Sequence, residues 1–238
     1  MKKTRLLLAA LFAMSVPLAA QNFVADPASL PGGLSYPQWT VKWSQWAMSI
    51  PFPINPVYDA TGAYCDIDQS GPVWFLAGMP GGPINCVVPA GKMIFFPVDF
   101  LIVDYPCPDP TFHPGPGQSL EQFLTIGYGL NAGARRYIDV VTALSVSLDG
   151  VPVQNQDLSP TSLIPKYRAT SPLFVFQGDR SLQPVDPCSA PGHKAVTDGY
   201  WIMLKPLSPG SHILLYSVTV TFSGATFSWG MTYNLTIP

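Results

Sequence analysis

The sequence predicts a mainly β protein: a β-sandwich or jelly-roll-like domain with one or two short peripheral helices and long Pro/Gly-rich loops. Three observations lead there. Apolar segments rich in β-branched and aromatic residues recur along the chain, several with the in–out alternation of a strand. Asp149–Gly150 and further Pro/Gly turns separate the C-terminal segments by short connections. The 27 prolines and 20 glycines follow no strict period, so they punctuate apolar segments that a disordered chain would lack.

The N-terminus specifies a compartment. Lys2, Lys3 and Arg5 precede the apolar run from Leu6 to Met14, and Ala19 and Ala20 follow it. That order reads as a secretory signal peptide over residues 1–20, bacterial in style and too short for a membrane span. Residues 21–34 then read as an extended segment and 35–238 as a single β-rich extracellular domain. An alternative division near 140 separates an irregular N-terminal half from a C-terminal half with an immunoglobulin-like rhythm of strands. The expected location is secreted or extracellular, with the periplasm as the alternative, and the mature chain has no transmembrane anchor.

Removing Lys2, Lys3 and Arg5 leaves nine Lys+Arg against fourteen Asp+Glu, a formal net charge of −5. No basic cluster exceeds the pair Arg135–Arg136, which argues against nucleic acid and against anionic membrane surfaces as partners. Cys65, Cys86, Cys107 and Cys188 form an even set in an exported chain, which favours two disulfides over metal ligation. The pairing Cys65–Cys86 closes a loop of modest length. Cys107–Cys188 ties a long central loop to the one before the C-terminal strands.

Trp39, Trp43, Trp46, Ala47 and Ile50 fall on one face of a helix capped by Ser35, with Pro37 early and Pro51 and Pro53 as terminators. A buried tryptophan face pinning this helix to a sheet is the preferred reading over a ligand platform or a membrane wedge. "GPVWFLAG" from Gly71 and "GKMIFFPVDFLIVDYP" from Gly91 supply strands, the latter one long or two short. Ser119 and Gln122 fit a capping box for a second helix over about Leu120 to Arg136, weakened by Gly127, Gly129 and Gly133. "VTALSVSLDGVPV" reads as a hairpin, and "SPLFVFQ", Tyr200–Leu204, His212–Val220 and "ATFSWGMTYNLTI" as strands.

Chemistry is thinly signalled. "DIDQSG" places Asp66, Asp68 and Ser70 at alternate positions before Gly71, the first half of a calcium loop, but Ala77 stands where the bidentate glutamate belongs. A polar turn is the competing reading. Structural calcium is therefore the one cofactor to test for; otherwise none is expected. His193, Asp198 and His212 could converge as an acid–base set, although no HxH or HExxH spacing supports a metal site. No GxSxG elbow occurs, Glu121 is the only glutamate, and Asp99 and Asp104 would face opposite sides of a simple strand. Arg168 and Arg180 bracket a strand, where loop-organising salt bridges are the simplest role.

Three functions follow. A non-enzymatic secreted domain acting in extracellular assembly or protein binding, through self-association or a partner, suits the low charge and aromatic content. A carbohydrate-binding module would use Trp74, Trp201 or Trp229 with Tyr64 or Tyr200 exposed beside polar groups. A secreted hydrolase would use a His/Asp site. The first is preferred, and an enzyme is the less favoured class.

Overall fold

The computed structural model describes residues 23–78, 80, 82–153 and 166–238, so the signal-peptide reading lies outside the described residues. The fold is mainly β, with a sandwich-like pair of five-stranded sheets and three α-helices among the described residues. In the first sheet, β1 (Val73–Phe75), β3 (Met93–Tyr105) and β10 (Pro191–Leu204) lie side by side, and β8 (Arg168–Thr170) and β9 (Phe174–Gln177) pair with the far side of β10. The second sheet runs β2 (Ile84–Val87), β12 (Ala225–Ile237), β11 (Gly210–Phe222), β6 (Val141–Leu148) and β7 (Val151–Pro152). Each sheet draws strands from both sides of position 140. The segment before Ser35 is not extended throughout, since Pro27–Ser29 and Pro31–Gly33 form 3-10 turns; it joins the first sheet through Ala25 N–H, which donates to Met203 O at 2.8 Å.

Helix α1 (Tyr36–Ser49) forms as its sequence dictates. Ser35 and Gln38 make a reciprocal capping box, Pro37 sits in the first turn, and Ile50 is extended before Pro51. Its tryptophan face covers the first sheet: Trp43 lies 5.3 Å from Trp201 and 4.7 Å from Phe100, centroid to centroid. Each indole N–H finds a backbone carbonyl, from Trp39 to Pro31, Trp43 to Leu76 and Trp46 to Ile67. These rings are core.

The opposite face of the first sheet meets the second, where Phe96 stacks on Tyr216 at 5.3 Å. Covered on both faces, β10 is buried continuously from Ala195 to Leu204. The second sheet has one solvated face, so β11 alternates buried and exposed residues over Leu214–Val218, and β12 alternates buried and more exposed ones over Met231–Ile237. The predicted disulfides are formed, Cys65–Cys86 and Cys107–Cys188.

Two expected elements differ. The second helix does not run to Arg136. It divides into α2 (Leu120–Ile126), a small hairpin of β4 (Gly127–Tyr128) and β5 (Asn131–Ala132), and α3 (Ala134–Ile138). Gly127 and Gly129 adopt φ of 83° and 61°, which ends the helix although the Ser119–Gln122 box starts it as expected. The strand expected at Tyr200 begins at Pro191, because the polar residues Thr197 and Asp198 are buried in it with partners from distant segments.

Candidate functional site

A β-bulge builds an apolar recess. Along β3, Pro97 pairs with Trp201 and Asp99 with Tyr200, leaving Val98 without an opposite residue. The extra residue reverses the alternation, so Phe95 and Phe100 both face α1, against Tyr36 and Trp43 respectively. Asp99 is turned instead toward the space between the layers. Strand β1 pairs only with Met93–Phe95, so among the described strands none covers that edge of β3 further along. Pro97, which has no N–H to offer a ladder, suits such an edge.

Beside this edge lie two cavities of about 460 and 160 Å³, both lined by Asp99, Phe100 and Trp229. The larger is walled by Leu101, α3 and the far end of the β11–β12 hairpin, whose Val220 and Phe222 face it. Its walls are mainly aliphatic and aromatic, with Asp99 and Arg136 as the charged groups. The rim leaves large apolar side chains in water: Leu130 is 99% exposed, Phe222 57% and Tyr137 55%. Burial raises the Asp99 carboxyl to about 6, against the opposing influence of the Phe100 N–H. An apolar recess of several hundred cubic ångströms with a few polar groups and a perturbed carboxyl has the character of a binding site.

The three residues considered for acid–base chemistry have separate partners. Asp198 is fully buried and accepts from Arg168 Nε and Nη2 at 3.0 and 2.6 Å and from Thr170 Oγ1 at 2.7 Å. Asp139 adds a second ion pair to Arg168 at 2.6 Å. This is a structural knot with its lone pairs committed. His193 Nδ1 lies 2.6 Å from Cys188 O. His212, on the other sheet, contacts Asp149 Oδ2 at 2.7 Å and Ser208 O at 2.9 Å. Burial pulls the His212 imidazole down, but these two acceptors outweigh it and the net shift is upward.

Among the aromatic candidates, Trp74, Tyr200 and Trp201 are buried, and Trp201 stacks on Phe95. Tyr64 and Trp229 are half-buried, and Trp229 belongs to the cleft wall rather than to an open platform. Asp66, Asp68 and Ser70 are exposed on a turn that Gln69 organises: its amide donates to Cys65 O and Phe75 O and accepts from Phe75 N–H. The residues of the cleft that sequence reasoning passed over, Leu130, Tyr137 and Phe222, sit on separate elements and share no motif. Pro97 inside an apolar run was the available signal for a strand edge or bulge.

Among the described helices none is long and apolar enough to cross a membrane. Comparison of the chain with known protein families, with curated proteins and with solved structures finds no match.

Proposed function

We propose that this chain is a non-enzymatic extracellular binding domain, which holds an extended segment of a partner protein along the outer edge of β3. The observation that carries this is the adjacency of Asp99–Leu101, partly exposed and paired with no described strand on that edge, to an apolar cavity of about 460 Å³. Main-chain hydrogen bonds to such an edge supply affinity, and a pocket beside it selects a side chain. The cavity has room for a large aliphatic or aromatic group, and the exposed Leu130, Phe222 and Tyr137 would be covered as that group enters. Of the C-terminal strands, β11 lies between β12 and β6, and β12 carries β2 along Tyr233–Thr236. The separate partners of His193, Asp198 and His212 support binding over hydrolysis.

The test is selection of short extended peptides, displayed on phage, against the folded domain and against Val220→Trp, which fills the cavity. Binders with a central apolar residue that lose at least about tenfold in affinity (about 1.4 kcal/mol) on the variant are expected. A selection yielding no binder, or binders indifferent to the variant, overturns the reading.

A neutral glycan is the second reading, and one observation favours it. The solvated face of the second sheet is lined by hydroxyls, with Ser145 Oγ 2.7 Å from Ser217 Oγ and Thr219 Oγ1 2.9 Å from Ser228 Oγ. A shallow groove there is lined by Ser145, Ser147, Ser217, Gly230 and Thr232 without a charged side chain. Glycan-array binding abolished by Gly230→Arg would favour it over the edge of β3.

A further inference from the structure

A second feature lies away from the cleft, where the far end of β3 meets the loop before β10. The alternation after the bulge puts Asp104 on the same side of β3 as Phe100 and Ile102. There its carboxyl, Asp186 and Cys188 present atoms that all lie within 4.8 Å of one another. Asp104 is 4% exposed, and its Oδ2 has no hydrogen-bond partner. Asp186 uses Oδ1 to accept from Cys188 N–H at 3.2 Å. No salt bridge among the described residues reaches either carboxylate. The nearby charge acting on Asp186 is that of His193, whose Nδ1 is engaged with Cys188 O. The Tyr58 hydroxyl lies near enough to feel the Asp186 charge.

We propose that Asp104 and Asp186 bind a calcium ion, which ties the end of β3 to the loop before β10. Two like charges held together, one of them buried, need a counter-charge, and an unpartnered buried carboxylate oxygen needs a ligand. The spacing suits a cation. Oxygens on one calcium lie about 2.3–2.6 Å from it, so two of them can stand as much as about 5 Å apart. Cys188 is committed to its disulfide with Cys107 and offers no thiolate, which removes the ligand that soft metals prefer. Water completes the shell from the side of Asp186, which is the more open of the two. The cation and the Cys107–Cys188 bridge would then clamp the same two segments.

Melting curves of the folded, oxidised protein decide the matter, run after chelation and with added calcium chloride. Calcium near a hundred times its dissociation constant is expected to raise the melting temperature by about 5–10 °C. Asp104→Asn and Asp186→Asn should each abolish that rise, whatever they do to the starting value, while Asp66→Asn with Asp68→Asn should keep it. Equilibrium dialysis with radioactive calcium on the same four proteins should give one bound ion, lost with the same two substitutions. No calcium-dependent shift at millimolar concentration overturns the proposal, as does a shift that survives Asp104→Asn or disappears with the Asp66/Asp68 variant. A melting temperature that responds to pH but not to calcium overturns it in favour of a protonated Asp104.

Discussion

Replacing Asp198 with alanine separates a structural role from a catalytic one. The carboxylate is fully buried and accepts from Arg168 Nε, Arg168 Nη2 and Thr170 Oγ1. Removing it strands a guanidinium whose side chain is only 15% exposed. Breaking one partner of a buried pair costs about 3–5 kcal/mol, because the remaining charge has lost its compensation. Here Asp139 still reaches Arg168 at 2.6 Å, so the loss should fall at the lower end, about 3 kcal/mol. Asp139 itself is 55% exposed, and Asp139→Ala should cost under about 1 kcal/mol. Adding Arg168→Met to Asp198→Ala should recover much of the loss, since the orphaned charge is then gone as well. Urea unfolding followed by tryptophan fluorescence and by far-UV circular dichroism measures the wild type, the three single variants including Arg168→Met, and the double variant, with coincident transitions required. A loss below about 1 kcal/mol for Asp198→Ala, or a double variant less stable than the single by the full cost of Arg168→Met, would refute the buried-pair argument.

Three further outcomes are expected. Trp43→Phe leaves Leu76 O without its donor and opens a gap beside Trp201, and should cost about 2–3 kcal/mol in the same urea assay; a neutral result would mean the helix is not pinned through this ring. Gly199→Ala brings a Cβ to 2.5 Å from Asp99 O, so β10 must shift against the bulge, with a loss of about 1–3 kcal/mol and a lower melting temperature. Asp99 has a folded value of about 6, above its ordinary 3.8, so the folded state holds the proton more tightly than the unfolded chain. Its contribution to stability is then highest below about 4 and declines as pH rises through about 6, so Asp99→Asn should flatten the fall in urea midpoint between those values.

Local chemistry made a good part of this molecule legible in its sequence. The α1 helix follows from tryptophan spacing at the helical period, a serine cap and flanking prolines, all acting within a few residues of one another. The β11–β12 hairpin follows from alternation, because one face of its sheet is solvated and polar residues can occupy it. The disulfide pairs were readable from loop length and position. Tertiary structure alone decided the rest, because those features depend on partners far along the chain. Thr197 and Asp198 look like loop residues until Leu101 O accepts from Thr197 Oγ1 and Arg168 and Thr170 donate to Asp198, inside a sheet covered on both faces. Val98 becomes a bulge only against Tyr200 and Trp201, and that single unpaired residue turns Asp99 to the cleft. Asp104 and Asp186 meet only once β3 and the loop before β10 are folded together, since hydrophobic periodicity fixes which face a residue takes but not which distant residue it will face.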